Sequence, residues 1–218
     1  WGRYHGGPIP GLPVQPDRRF EPALSVSHGV IAHRDALRAA ARYGNGDVQW
    51  LTAGGGVQHS EMFPLVDPQR PNPLELFQIW LNLPRAAKLA PPHFVIFWND
   101  AVPRHHVRTG AGATEVAVVA GALGELRPLP PPPDSWASHA DADVAIWTIR
   151  MTAGATWTLP PATPAAKRTL YYFGGLSLRV GGRAVPPQHA IEVRPDVTVP
   201  LESGDEVELL LLQGRPIG

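Results

Sequence analysis

The chain has 218 residues with 19 basic and 19 acidic side chains, so its formal net charge is zero. A neutral chain lacks the basic surface that nucleic acids and anionic membranes require, and we therefore expect neither direct nucleic-acid binding nor membrane binding. It contains no cysteine, which excludes disulfides, thiolate metal sites and cysteine nucleophiles. No secretory leader and no apolar run of membrane-spanning length is visible, and we expect a cytoplasmic protein.

The proline and glycine content predicts short strands joined by turns rather than helices. The chain has 26 prolines and 22 glycines. Apolar segments recur at short intervals between glycine-containing turns, which is typical of an all-β sandwich or barrel. The predicted strands cover residues 20–26, 30–33, 74–83, 94–98, 115–120, 144–151, 156–159, 169–173, 176–180, 190–193, 197–201 and 207–213. Residues 35–43 fit a short helix ending at Gly44, and equally a loop, because they show hardly any apolar stripe.

A run of four prolines divides the chain into two halves. The segment LPPPPDSW at 129–136 cannot belong to a helix or to an inner strand. We therefore predict an N-terminal domain at 1–127, a proline-rich linker at 128–141 and a C-terminal domain at 142–218.

The two halves share a turn motif. Gly46-Asp47 precedes an apolar strand in the first half, and Gly204-Asp205 precedes another in the second. Both are turns that lead into an apolar strand at a similar depth in each half. The simplest explanation is two related barrels in tandem.

The candidate chemistry lies in residues 46–64, GDVQWLTAGGGVQHSEMFP. His59 and Glu61 are two residues apart, so in a strand their side chains point to the same face. Such an imidazole and carboxylate can bind a metal ion, and they can also lie on a solvated strand edge. Three glycines at 54–56 favour the metal site, because glycine lets the backbone turn sharply and approach a site closely.

Several segments of the chain resemble the pirin family, two-domain members of the cupin superfamily. They are residues 46–64, PNPLELFQIWLNLP at 71–84, VAVVAGALGE at 116–125, DVAIWTIRM at 143–151 and LLLLQGRPIG at 209–218. The resemblance spans nearly the whole chain. It implies an all-β fold of two tandem cupin barrels, each a double-stranded β-helix.

The resemblance also implies a metal centre in the first barrel, usually iron held by three histidines and a glutamate. Two of these histidines come from an early His-x-His, and the third comes with the glutamate from a later His-x-Glu. The later pair is present as His59 and Glu61. Gln15 and Asp17 stand at the early histidine positions, and Arg19 replaces the glycine that usually follows them.

Three outcomes for this altered site stay open. The site can be without a metal ion. Alternatively, Asp17, His59 and Glu61, with Gln15, bind Fe(II) or another divalent metal such as Mn or Ni. The two carboxylates make this donor set oxygen-rich, which shifts its preference toward Mn(II) or a harder ion. Glu21 can also turn inward as a further ligand, although we expect it to be an ordinary exposed carboxylate.

The function that the resemblance implies is that of a quercetin 2,3-dioxygenase acting on a flavonol or a similar small aromatic substrate. Glu61 is the candidate base for the substrate hydroxyl. Arg18 is a candidate for holding an anionic ring oxygen, or else forms a surface salt bridge. Two alternatives stay open: a non-catalytic regulatory protein that binds a protein partner, and a metal-free pathway enzyme whose repurposed pocket uses Gln15 and Asp17.

Overall fold

A computed structural model describes residues 11–67 and 69–217. Within these residues the regular structure consists of β-strands and three single-turn 3-10 helices, at Arg85–Ala87, Trp136–Ser138 and Ala140–Ala142. The predicted all-β class is confirmed. No helix in the described part of the chain is long and apolar enough to cross a membrane. The first ten residues of the predicted N-terminal domain lie outside the described residues.

The chain divides into two compact units, and the first comprises residues 11–101 with 130–138 and Ile217. Its strands form two four-stranded antiparallel sheets, in the orders β1-β6-β3-β4 and β7-β2-β5-β8. They are β1 (Gly11–Asp17), β2 (Phe20–His28), β3 (Val30–Asp35), β4 (Ala40–Gly44), β5 (Val48–Thr52), β6 (Val57–Met62), β7 (Glu75–Asn82) and β8 (His93–Phe97).

The second unit comprises residues 102–129 with 139–216. It contains a six-stranded sheet in the order β16-β13-β18-β11-β10-β9 and a four-stranded sheet in the order β12-β17-β14-β15. The strands are β9 (Arg104–Thr109), β10 (Gly112–Ala120), β11 (Ala145–Met151), β12 (Thr156–Leu159), β13 (Lys167–Gly174), β14 (Leu178–Val180), β15 (Arg183–Val185), β16 (His189–Glu192), β17 (Val199–Ser203) and β18 (Val207–Gly214).

This division differs from the predicted boundaries at 1–127, 128–141 and 142–218. Strand β10 pairs with β11 from Thr114 to Ala120, and this pairing joins β9 and β10 to the second unit. Residues 130–138 of the predicted linker pack with the first unit. A proline run marks a break in regular structure, but strand pairing decides which strands share a sheet.

The helix considered for residues 35–43 is wrong, because the segment is a hairpin between β3 and β4. Asp35 Oδ1 accepts hydrogen bonds from the backbone N–H groups of Leu37 and Ala39, both at 2.9 Å. Arg38 has a φ of +72°, which no α-helix contains. An aspartate that bonds the backbone two residues on offers the chain a turn in place of a helix.

The repeated Gly-Asp motif forms similar turns in both units. The Asp47 carboxylate accepts the N–H groups of Gly44 and Asn99, both at 2.8 Å. In the second unit, the Asp205 carboxylate accepts two consecutive N–H groups, from Leu176 at 2.9 Å and Ser177 at 3.0 Å. In each case a carboxylate satisfies the backbone of a neighbouring loop just before a strand enters the core.

Candidate functional site

Strand β6 turns His59 and Glu61 toward the interior of the first unit. Their exposed fractions are 2% and 1%, whereas Met62 is 45% exposed and Gln58 is also exposed. This alternation follows from the two-residue period of a strand. The predicted common face of the His-x-Glu pair is therefore observed, and it is the buried face rather than a solvated edge.

Strand β1 places Gln15 and Asp17 beside this pair. The antiparallel register sets Gln15 opposite His59 and Asp17 opposite Val57. The Gln15 amide and the His59 ring form a hydrogen bond of 2.9 Å between their Nε2 atoms. With the amide as donor, His59 Nε2 is unprotonated and its ring proton is on Nδ1.

Asp17 completes the predicted group of four side chains. Its Oδ2 lies 3.7 Å from His59 Nε2, and its side chain is 14% exposed. Burial raises the pKa of Asp17, and the charge of Glu61 adds to this rise, while His59 and His33 lower it. These effects show that the side chains at 17, 59 and 61 share one electrostatic environment.

Two further members of the cluster were not predicted. Strand β3 pairs with β6 so that His33 stands opposite Glu61 and Asp35 stands opposite His59. The side chains of His33 and Asp35 are fully buried. The sequence signal was a second strand pair, His33-x-Asp35, which has the same spacing as His59-x-Glu61.

The His33 ring lies between two carboxylates. Its Nδ1 is 3.9 Å from Glu61 Oε1, and its Nε2 is 3.5 Å from Asp35 Oδ2. The ring stacks on Phe94 with centroids 4.8 Å apart, and it meets the His59 ring edge-on at 5.3 Å. The cluster therefore consists of two imidazoles and their carboxylate neighbours on one buried sheet face.

Several polar atoms of this cluster have unmet hydrogen-bonding capacity. Within residues 11–67 and 69–217, the buried atoms without a hydrogen-bond partner include both ring nitrogens of His33, Asp35 Oδ2, His59 Nδ1 and Glu61 Oε1. Buried polar groups are almost always paired, because an unpaired one costs about 1–3 kcal/mol. A concentration of unpaired imidazole and carboxylate atoms is typical of a site that accepts a ligand.

Tyr43 borders the cluster as a neutral group. Burial and the charge of Glu61 both raise the pKa of the Tyr43 phenol. Its hydroxyl donates a hydrogen bond of 2.7 Å to Gln49 Oε1. The phenol is thus held as a hydrogen-bond donor and does not compete for protons.

Glu21 is not the exposed carboxylate that we expected. It is fully buried, and Oε2 accepts hydrogen bonds from Trp50 Nε1 and Thr52 Oγ1, each at 3.1 Å. Oε1 accepts the Ser135 hydroxyl at 2.6 Å and the Trp136 N–H at 3.2 Å. Burial raises the pKa of Glu21, and the four hydrogen bonds lower it. Its oxygens are engaged in tying residues 130–138 to the first unit.

Arg18 and Arg19 form an exposed turn between β1 and β2. Arg19 has a φ of +68°, in the left-handed region that favours glycine. Its N–H donates to Gly54 O at 2.8 Å, and its own carbonyl accepts from Lys88 Nζ at 3.0 Å. The glycine that pirins carry at this position therefore has a conformational reason, and this chain adopts the turn without it.

The glycines that precede β6 serve a close backbone contact. Gly54 has a φ of +48°, and a Cβ atom there would lie 2.1 Å from Ala90 O. The next N–H, of Gly55, donates to the same oxygen at 2.9 Å. Glycine is thus required at residue 54 by packing against Ala90 rather than by a close approach to His59.

The side chains present differ from the family's donor set for iron. Among the described residues, no three His, Cys, Asp or Glu side chains are grouped so that they could hold a metal ion. The Gln15 amide bonds His59 Nε2, and His59 Nδ1 lacks the outer hydrogen-bond acceptor that metal-binding histidines usually have. The role of Gln15, Asp17, His59 and Glu61 as metal ligands stays a prediction.

Comparison with known sequences shows what the chain is similar to. The family model described as Pirin matches residues 5–81. A Pseudomonas aeruginosa protein named "Putative quercetin 2,3-dioxygenase" is 30% identical over 208 residues, which cover 95% of this chain and 68% of that protein.

Solved structures show the same fold. Quercetin 2,3-dioxygenase from Acinetobacter baumannii superimposes with a TM-score of 0.83 at 22% identity, over 99% of this chain and 72% of that one. The bacterial pirin YhhW from Escherichia coli, solved in complex with nickel(II), gives 0.66 at 16% identity, over 95% of this chain and 77% of that one. The fold is that of a bicupin, as the sequence predicted.

Proposed function

This chain belongs to the pirin family, and we propose that its first unit binds a small hydroxylated aromatic compound, such as a flavonol, at the buried cluster. In the proposed reaction, Glu61 takes the proton of a substrate hydroxyl, and both atoms of O₂, the oxidant, are then incorporated into the substrate anion as in a quercetin 2,3-dioxygenase. The proposal rests on one observation: the Glu61 side chain is buried, and its Oε1 has no hydrogen-bond partner among the described residues.

Glu61 suits the role of base for a geometric reason. An oxygen without a partner accepts a substrate hydroxyl without losing another hydrogen bond. A positioned base contributes about 10²–10⁴-fold to a rate. Removing the hydroxyl proton makes the aromatic ring richer in electrons, so the substrate itself can pass charge to O₂.

The other side chains bind and orient the substrate. Burial raises the pKa of Asp17, and we assign this side chain to contact with a second substrate oxygen. Gln15 fixes the His59 ring through their 2.9 Å hydrogen bond. Arg18 is exposed at the turn after β1, and its role in holding an anionic ring oxygen stays a prediction.

The test is the oxidation of quercetin by the purified chain, with O₂ uptake and substrate loss measured in the presence of EDTA. Glu61→Gln keeps the shape and removes the base, and we expect kcat to fall at least about 100-fold with little change in quercetin affinity. Glu21→Gln is the matched control, because it changes another buried glutamate of the same unit that is engaged in structural hydrogen bonds. Equal turnover in wild type and Glu61→Gln, or no turnover in wild type, contradicts the proposal.

Binding of a divalent cation by Asp17, His59 and Glu61 is a second candidate, which rests on the family resemblance because the described side chains are not grouped as metal ligands. The side chains that act electrostatically on Asp17 are those of His59, Glu61 and His33. A hard cation such as Mn(II) suits a set with two carboxylates and one imidazole. No step of the reaction proposed above passes through such an ion.

Metal content distinguishes the two candidates. Elemental analysis and titration with Mn(II), Fe(II) and Ni(II) measure the affinity of the wild type. The double variant Gln15→His/Asp17→His restores the family's donor set, and we expect it to bind Ni(II) at least about 100-fold more tightly than the wild type. Stoichiometric metal in the wild type favours the second candidate. A protein that neither binds metal nor oxidises quercetin fits the regulatory alternative, which stays a prediction.

A further inference from the structure

We propose that Asp35 and His33 form a positioning chain for Glu61: Asp35 fixes the tautomer and orientation of the His33 ring, so that its unprotonated Nδ1 accepts a hydrogen bond from the Glu61 carboxyl once Glu61 has taken the substrate proton. This inference rests on the proposed function, since Glu61 is its base. Both residues act through another side chain and are positioning residues. They are two buried titratable groups of the cluster that the proposed reaction leaves unused.

The register of the sheet creates this chain. Two pairs with the same two-residue spacing face each other on neighbouring antiparallel strands, with His33 opposite Glu61 and Asp35 opposite His59. Side chains directly opposite on one face of an antiparallel pair lie within contact distance. His33 therefore lies between its strand neighbour Asp35 and its cross-strand neighbour Glu61, with one ring nitrogen toward each.

Two backbone hydrogen bonds fix the orientation of the Asp35 carboxylate. Its Oδ1 is held by the N–H groups of Leu37 and Ala39 in the β3–β4 turn. This turn fixes the carboxylate plane and leaves Oδ2, a fully buried atom, facing His33 Nε2 at 3.5 Å. A carboxylate in this position favours the tautomer that carries its proton on Nε2.

The His33 ring is fixed from its other sides as well. Phe94 stacks on one face with an interplanar angle of 24°, and His59 meets the ring edge-on. The contacts of 3.5 Å to Asp35 and 3.9 Å to Glu61 are at or beyond hydrogen-bond length. Catalytic hydrogen bonds are often long in ligand-free sites and shorten when substrate binds.

The variant Asp35→Asn tests the positioning chain of Asp35, His33 and Glu61. Its amide oxygen can still accept the turn N–H groups, but its amide nitrogen faces His33 Nε2 as a donor and moves the ring proton to Nδ1. We expect kcat for quercetin to fall about 10-fold or more with KM nearly unchanged, since partners of this kind are typically worth 10–100-fold. The ¹⁵N shifts of the His33 ring, assigned by comparison with His33→Asn, should show the protonated nitrogen changing from Nε2 to Nδ1.

Asp47→Asn is the matched control. Asp47 also accepts two backbone N–H groups at a turn, but its turn leads into β5 and its carboxylate is bound to Gly44 and Asn99. We expect this control to lower thermal stability without changing the His33 tautomer or kcat per folded molecule. An unchanged His33 tautomer in Asp35→Asn, or an unchanged kcat, overturns the inference.

Two variants of His33 test its link to Glu61. His33→Phe keeps the stack on Phe94 and removes both ring nitrogens, whereas His33→Asn keeps a polar group near the Nδ1 position. We expect part of the activity lost in His33→Phe to be retained in His33→Asn, and equal losses contradict a positioning role.

The two proposals fail in different ways. If the wild type does not oxidise quercetin, the proposed function is rejected, and the ring spectra still decide this inference. Asp35→Asn must then shift the ring proton, and Glu61→Gln must shift the His33 Nδ1 resonance. Absence of either shift overturns the chain of Asp35, His33 and Glu61 whatever the activity.

Discussion

The interiors of the two units differ in how many polar side chains they bury. In the second unit, a continuous apolar cluster includes Trp147, Ile149, Leu201 and Leu209, none more than 3% exposed. In the first unit, apolar groups such as the one around Leu51 are smaller, and His33, His59 and Glu61 occupy buried positions. The same architecture thus encloses a continuous apolar core in one unit and a buried polar cluster in the other. Buried polar groups reduce stability, so proteins retain them mainly where function requires them.

The contrast between the interiors predicts unequal effects of core mutations. Leu209→Ala in the second unit should lower the free energy of unfolding by about 2–5 kcal/mol, because it removes methyl groups from a packed core. His33→Leu in the first unit should cost less than about 1 kcal/mol, because an apolar side chain replaces a buried ring whose two nitrogens are both unpaired. Urea-induced unfolding measures both, and equal costs contradict the contrast.

The buried carboxylate of Glu21 sharpens the contrast within the first unit. Unlike Glu61, it is fully hydrogen-bonded, so its role is structural. In Glu21→Gln the amide nitrogen faces a donor, either Trp50 Nε1 or the Trp136 N–H, and we expect a loss of about 1–3 kcal/mol.

Limited proteolysis provides the readout specific to Glu21. Residues 130–138 should be cleaved faster in Glu21→Gln than in the wild type, because a neutral amide with one acceptor oxygen cannot replace all the hydrogen bonds of the carboxylate, which include those from Ser135 and Trp136. Glu192→Gln, at an exposed glutamate of the second unit, is the control and should be neutral. Unchanged cleavage in Glu21→Gln would show that these hydrogen bonds do not hold the segment.

The smallest expected effect concerns the turn beside the site. Arg19 adopts a left-handed conformation, which costs a non-glycine residue about 1–2 kcal/mol. Arg19→Gly relieves this strain, but the greater entropy of the unfolded glycine chain lowers the free energy of unfolding by about 0.4–1 kcal/mol. We therefore expect the free energy of unfolding to rise by up to about 1 kcal/mol. Arg18→Gly has no such strain to relieve and should be destabilising. Thermal unfolding that ranks the two variants the other way contradicts this account.

The sequence by itself determined the all-β class, most of the strands and the shared face of His59 and Glu61. Each of these depends on local periodicity, which fixes which residues of a strand share a face. The two Gly-Asp turns were also readable from the sequence, but three of the four backbone N–H groups that Asp47 and Asp205 accept belong to residues 28 or more positions away. Sequence also identified Gln15 and Asp17 as neighbours of His59, through resemblance to the family.

Only the tertiary structure decided the remaining features. His33 and Asp35 join the site through the register of β3 against β6, and nothing local to either strand specifies that register. The structural role of Glu21 was not visible in the sequence, because its hydrogen-bond donors Ser135 and Trp136 lie more than a hundred residues further along the chain. Strands β9 and β10 belong to the second unit through their pairing with β11. Period and spacing are properties of a segment, whereas register, burial and sheet membership are settled between segments.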